Sequence, residues 1–152
     1  MTEVLFYHLE HKPWEQVLPG QLSKALQRGW RCVVQVGSDD RVEPVSELLW
    51  KNEADIFLAH GTMADGRADR QPIWLTAGDD NPNNATVRFF IEGAMPGEVA
   101  SLDRVAILFD GRDEAAVQAA RDNWKRLKAQ GLAISYWQQD ENFRWVDRSK
   151  AE

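Results

Sequence analysis

The run RVAILFD, Arg104–Asp110, constrains this chain more than any other feature. Its five consecutive apolar residues leave no polar face, so a strand here must be covered on both sides, as in a parallel sheet. It ends on an aspartate. A helical pattern follows over Asp113–Gln130, then a second strand-like run, LAISYW, at Leu132–Trp137. On the helix, Ala116, Ala120, Trp124 and Leu127 form one stripe, and the alanines let it lie close to a sheet. Strand, helix and strand in that order make a parallel crossover unit.

The same alternation fills the rest of the chain. EVLFYHL (Glu3–Leu9) reads as a strand. Trp14–Gly29 reads as a helix with Leu18, Leu22, Ala25 and Leu26 on one face and Gly29 as its stop. Pro19 either kinks that helix or opens its main part. WRCVVQV (Trp30–Val36) is a buried strand. Gly37–Lys51 carries a second helix, whose Asp40 and Glu43 match a capping box and whose Pro44 fits a first turn. DIFLAHG (Asp55–Gly61), QPIWLT (Gln71–Thr76) and ATVRFFIEG (Ala85–Gly93) are further strands, with loops between them. The expectation is a doubly wound, mostly parallel α/β sheet in a single domain, residues 1–146, with helices on both faces. From Asp147 onward, residues 147–152, the chain reads as a frayed tail.

Charge narrows the partners. The net charge of -6 denies the chain the broad basic surface that nonspecific DNA binding requires. One local basic site stays compatible with it. Cys32 is the single cysteine, which excludes an intrachain disulfide and fits a reduced, cytoplasmic setting. MTEVLFYHLEHKP does not read as a signal peptide, and no apolar run approaches the roughly 18 residues of a membrane span.

Chemical motifs are sparse. HLEHKPW follows the first strand where a nucleotide-binding fold would carry G-x-G-x-x-G, and no phosphate-binding G-x-x-x-x-G-K-[ST] occurs. His8 and His11 flank Glu10, and His60 stands alone, which is too few convergent ligands for a metal. The histidines therefore read as structural, and no metal or cofactor is expected. Asp110 ends a buried strand, the position of a nucleophile in some phosphotransfer folds. A nucleotide-dependent or phosphotransfer enzyme built on it is the alternative reading. Asp110 or Asp113 as a helix cap accounts for the same residues more simply.

ARDNWKRLKAQG carries the feature most in need of explanation. Arg121, Trp124, Lys125 and Lys128 stand at i, i+3, i+4 and i+7, on one helix face. Two readings fit. One is a core tryptophan beside a solvated basic face, with cations favoured near the helix C-terminus. The other is an apolar site rimmed by cations, suited to an acidic peptide with a hydrophobic anchor or a terminal carboxylate.

In order along the chain, FYHL, RGWRCVV, ELLW, IFLAHG, QPIWLT, ILFDG, ARDNWKRLKAQG and SYW resemble the chi subunit family of bacterial DNA polymerase III. The resemblance covers nearly the whole chain. It implies a Rossmann-like α/β fold without nucleotide chemistry, hence no enzyme. It further implies an adaptor that binds the acidic, Phe-terminated C-terminal tail of single-stranded DNA-binding protein and pairs with the psi subunit of the clamp loader. No sequence-specific nucleic acid and no membrane enter as partners. Carried onto this sequence, Arg121 and Lys125 would hold the tail's carboxylates, Trp124 would be a wall of the pocket, and Trp50 and Phe57 would receive the terminal Phe. Val117 stands where a further basic residue is common, with Lys128 or Arg112 as compensation, and Ala59-His60 stands where Pro-His is common.

Overall fold

The structure is a computed structural model of the chain and describes residues 2–149. Seven strands and three α-helices form it: β1 (Glu3–Leu9), α1 (Trp14–Gln27), β2 (Cys32–Gln35), α2 (Val42–Trp50), β3 (Ile73–Thr76), β4 (Val87–Phe90), β5 (Arg104–Asp110), α3 (Glu114–Ala129), β6 (Ala133–Gln139) and β7 (Trp145–Asp147). They make one sheet in the order β3-β2-β4-β5-β1-β6-β7. Every pairing is parallel except β6 with β7. The expected mostly parallel Rossmann-like sheet with helices on both faces is therefore what forms.

Side-chain alternation along β5 divides the core. Ala106 and Leu108 face one side, packed with Leu18 and Leu22 of α1 and Val45 and Leu49 of α2. Val105, Ile107 and Phe109 face the other, packed with Ala120 and Leu127 of α3. A period of two in the strand thus sends α1 and α2 to one face and α3 to the opposite face.

The ends of the helices show which local signals held. Asp113 caps α3, its carboxylate accepting from the backbone N–H of Ala115 (3.0 Å) and Ala116 (3.3 Å). Asp110 instead accepts from the N–H of Arg112 (2.9 Å) in the turn before the helix. Pro19 lies buried inside an unbroken α1, where only the bond to the Glu15 carbonyl is forgone. Gly29, at φ +80, ends that helix as expected.

Three expectations are corrected. The capping box at Asp40 and Glu43 does not form. Asp40 accepts from the Ser38 hydroxyl, a 3-10 turn at Asp39–Arg41 precedes α2, and Arg41 reaches away to Glu92 (2.8 Å). The strand expected at Asp55–Gly61 is a loop that touches the sheet through a single bridge between Gly61 and Trp74. Its cause is Asn52, whose amide bonds the Leu49 and Ile56 carbonyls while its oxygen accepts from the Ile56 N–H. That side chain stands in for a strand partner and closes the loop on itself. Finally, the tail expected from Asp147 begins inside β7. The Arg148 N–H bonds the Tyr136 carbonyl and Ser149 bonds the Asp147 carboxylate, while residues 150–152 lie outside the described residues.

Because Asp113 satisfies two otherwise unpaired amides, Asp113→Ala is expected to cost about 1 kcal/mol of stability. Urea unfolding followed by circular dichroism checks this as a lowered midpoint with unchanged slope.

Candidate functional site

The α3 set is brought together as its spacing requires. Trp124 is half-buried, its ring 5.6 Å from Phe6 and 5.8 Å from Tyr136 between centroids, at tilted and edge-on angles. Arg121, Lys125 and Lys128 are exposed around it. Among the described residues none of the three meets a carboxylate. Arg126, on a neighbouring face, is occupied by the Pro96 carbonyl and the Asn123 side chain. The result is an indole edge framed by three unneutralised cations on a protein of net charge -6. Val117, half-buried, packs against the core under α3 and adds no charge.

Trp50 and Phe57 are not part of this surface. Trp50 closes α2 and Phe57 lies in the following loop, on the sheet face opposite α3. Their grouping with Arg121 and Trp124 is corrected by this placement. They form a patch of their own: Phe57 is 80% exposed, Trp50 49%, and their rings are 6.1 Å apart. Met63, exposed on the same stretch of loops, is the other large apolar side chain left in solvent there.

His60 supports that patch from beneath. Its ring lies 4.1 Å from the Trp50 ring, and it bonds the Ser46 hydroxyl through Nε2 (2.9 Å) and the Leu58 carbonyl through Nδ1 (2.8 Å). Burial is the main cause that pushes the His60 pKa down, outweighing the two hydrogen bonds. Neutral His60 therefore fixes the orientation of Trp50. His60 stands alone in the sequence, and its contact across 14 residues to Ser46 reveals the role.

The other histidines are also used by the fold. His8 bonds the Tyr136 hydroxyl and approaches Glu10 (2.8 Å), while His11 is exposed against Phe143. No group of three His, Cys, Asp or Glu side chains that could hold a metal occurs among the described residues.

A parallel sheet of this kind offers a ligand crevice where neighbouring strands send their crossovers to opposite faces. Here that point lies between β1 and β5, and a cavity of about 630 Å³ sits there, floored by Leu108 and Phe109. Its rim carries four acids, Glu15, Glu92, Asp110 and Asp113, against one cation, Arg112. The α3 N-terminus, where a phosphate would be held, is already filled by the Asp113 carboxylate. This charge is of the wrong sign for a nucleotide, and Asp110 faces Arg112 rather than a second catalytic group.

The comparisons with known proteins agree with one another. The family model described as DNA polymerase III chi subunit, HolC, matches residues 1–135. A protein named "Probable DNA polymerase III subunit chi", from Rickettsia prowazekii (strain Madrid E), is 25% identical over 105 residues, 69% of this chain. The matched stretch spans 62% of that relative's length.

His60 yields a pH signature. Its folded pKa lies below its unfolded value near 6.5, so its contribution to stability is full above that value and is lost as pH falls through it. The melting temperature is expected to drop between pH 7 and 5, and His60→Gln is expected to reduce that slope. Thermal unfolding of both proteins over this range checks it.

Proposed function

The chain belongs to the DNA polymerase III chi subunit family, and from that premise we propose that it is a non-catalytic adaptor whose α3 face binds the acidic, Phe-terminated tail of single-stranded DNA-binding protein. The observation that carries the reading is the Arg121–Trp124–Lys125 face. Three cations without counter-charges surround an aromatic edge on an otherwise acidic protein. Carboxylates of the tail satisfy the cations with charge-assisted hydrogen bonds, and the indole supplies apolar contact to the terminal ring. Lys128 extends the basic row one turn further. Attraction of this kind acts over the roughly 8–10 Å screening length of physiological salt, so it favours a short acidic segment. Single-stranded DNA is then reached through its coating protein.

An adaptor needs a second, independent surface. The Trp50–Phe57 patch supplies a candidate on the other face of the sheet. Exposed aromatics clustered in one place are a mark of protein interfaces, and the reading assigns this patch to the psi subunit or its equivalent. Simultaneous occupation of both faces would link the clamp loader to coated single strands. With one sheet carrying both surfaces, the reading also takes residues 1–146 as one domain, and it needs no cofactor.

Calorimetric titration with a short acidic peptide ending in Pro-Phe tests the tail site. Binding is expected, lost when the last Phe is removed and weakened by added salt. Arg121→Glu with Lys125→Glu is expected to weaken it at least tenfold with an unchanged circular dichroism spectrum. Phe57→Ala is expected to leave it within twofold. Charge reversal is the better probe, because Trp124→Ala removes core packing worth about 3–5 kcal/mol. Persistent binding in the folded double variant would refute the assignment.

A further inference from the structure

A second basic, aromatic site lies on the face opposite α3, away from the residues discussed so far. A cavity of about 220 Å³ opens between the second half of α1 and strands β1, β5, β6 and β7. Five aromatic side chains line it: Tyr7, Trp30, Phe89, Trp137 and Trp145. Three cations stand among them, Lys24 and Arg28 from the end of α1 and Arg104 from the start of β5. Two of these guanidinium groups lie against one indole, Arg28 at 4.9 Å and Arg104 at 5.1 Å from the Trp30 ring.

The charges there are poorly balanced. Arg104 meets Glu3 at 3.3 Å, and among the described residues neither Lys24 nor Arg28 has an ion pair. Three cations against one carboxylate leave a local charge of +2 on a protein whose total is -6. Burial pushes the Tyr7 phenol up to about 12, so its hydroxyl stays protonated and adds no negative charge at neutral pH. The buried Oε1 of Gln21, on the cavity wall, has no hydrogen-bond partner.

We infer that this cavity takes one nucleotide of a single-stranded nucleic acid, its base among the aromatic rings and its phosphate between Arg28, Lys24 and Arg104. Flat rings stack on aromatic side chains whatever the base, and guanidinium forks match phosphate oxygens. The charge deficit of two fixes the scale of the contact: one or two phosphates, rather than the long basic groove that the total charge excludes.

The test is nuclear magnetic resonance of the full chain, following the indole N–H signals of Trp30, Trp137 and Trp145. The probes are hexathymidylate, thymidine monophosphate and N-acetyl-phenylalaninate. Saturable shifts of these three signals with hexathymidylate are expected, stronger than with the mononucleotide. The logarithm of affinity should fall with the logarithm of salt at a slope of about -1.4, about -0.7 for each of two phosphates. Lys24→Glu with Arg28→Glu, both exposed positions, should weaken the binding at least tenfold. Unmoved signals would overturn the inference. So would equal affinity for thymidine monophosphate, which would indicate a free nucleotide, or a response to N-acetyl-phenylalaninate alone, which would indicate a peptide. The readout is local to this cavity, so its failure is distinguishable from failure of the α3 reading.

Discussion

The pairing of β1 with β5 at the centre of the sheet governs the rest of the structure. The two strands run parallel over their whole length, Glu3 against Arg104 through Leu9 against Asp110. Their continuations diverge: the chain leaves β1 into α1 on one face and leaves β5 into α3 on the other. A right-handed crossover allows little else. The divergence separates the Trp124 surface from the Trp50–Phe57 surface and opens the cavity at the strand ends. It also buries Phe6 of β1 under Trp124, so that the central strand holds in place the indole of the proposed tail site.

In many α/β proteins the point of divergence is the functional centre. Here it is dressed for another purpose. Asp113 spends its carboxylate on the helix amides that would otherwise hold a phosphate, and further acids occupy the rim. The recognisable features lie instead on the outer surfaces: cations around Trp124 on α3, and Trp50 with Phe57 beyond α2. Such a distribution suits a protein whose work is contact, and it agrees with membership of a polymerase subunit family. On the proposed reading the fold supplies rigidity and spacing while the surfaces supply recognition.

What the sequence made legible were features whose causes are local. The apolar run of β5, the length of β1, an aspartate cap at position 110 or 113 and the basic face of α3 each follow from periodicity or from a residue acting within a few positions. The failures arose where side-chain bonding or short length overrode composition. Asp40 accepts from the Ser38 hydroxyl in a 3-10 turn while Arg41 pairs with Glu92, 51 residues away, and no capping box forms. Asn52 turns the apolar run after it into a closed loop, although DIFLAHG has the composition of a strand. Strand β7 is three residues long and pairs antiparallel, too short for a periodic signal. The same limit split the candidate site. Arg121, Trp124, Lys125 and Lys128 share a helix, so their association was readable, whereas the face on which Trp50 and Phe57 lie depends on the crossover of a different unit.

The central claim is that the acidic tail docks on α3 and leaves the opposite face free. The most direct measurement attaches a nitroxide to the N-terminal end of an acidic peptide ending in Pro-Phe and records paramagnetic broadening of the indole signals of the bound protein. Strong broadening of Trp124 with Trp50 unaffected is the result this account requires. Broadening centred on Trp50, or none at Trp124 under saturating peptide, would contradict it.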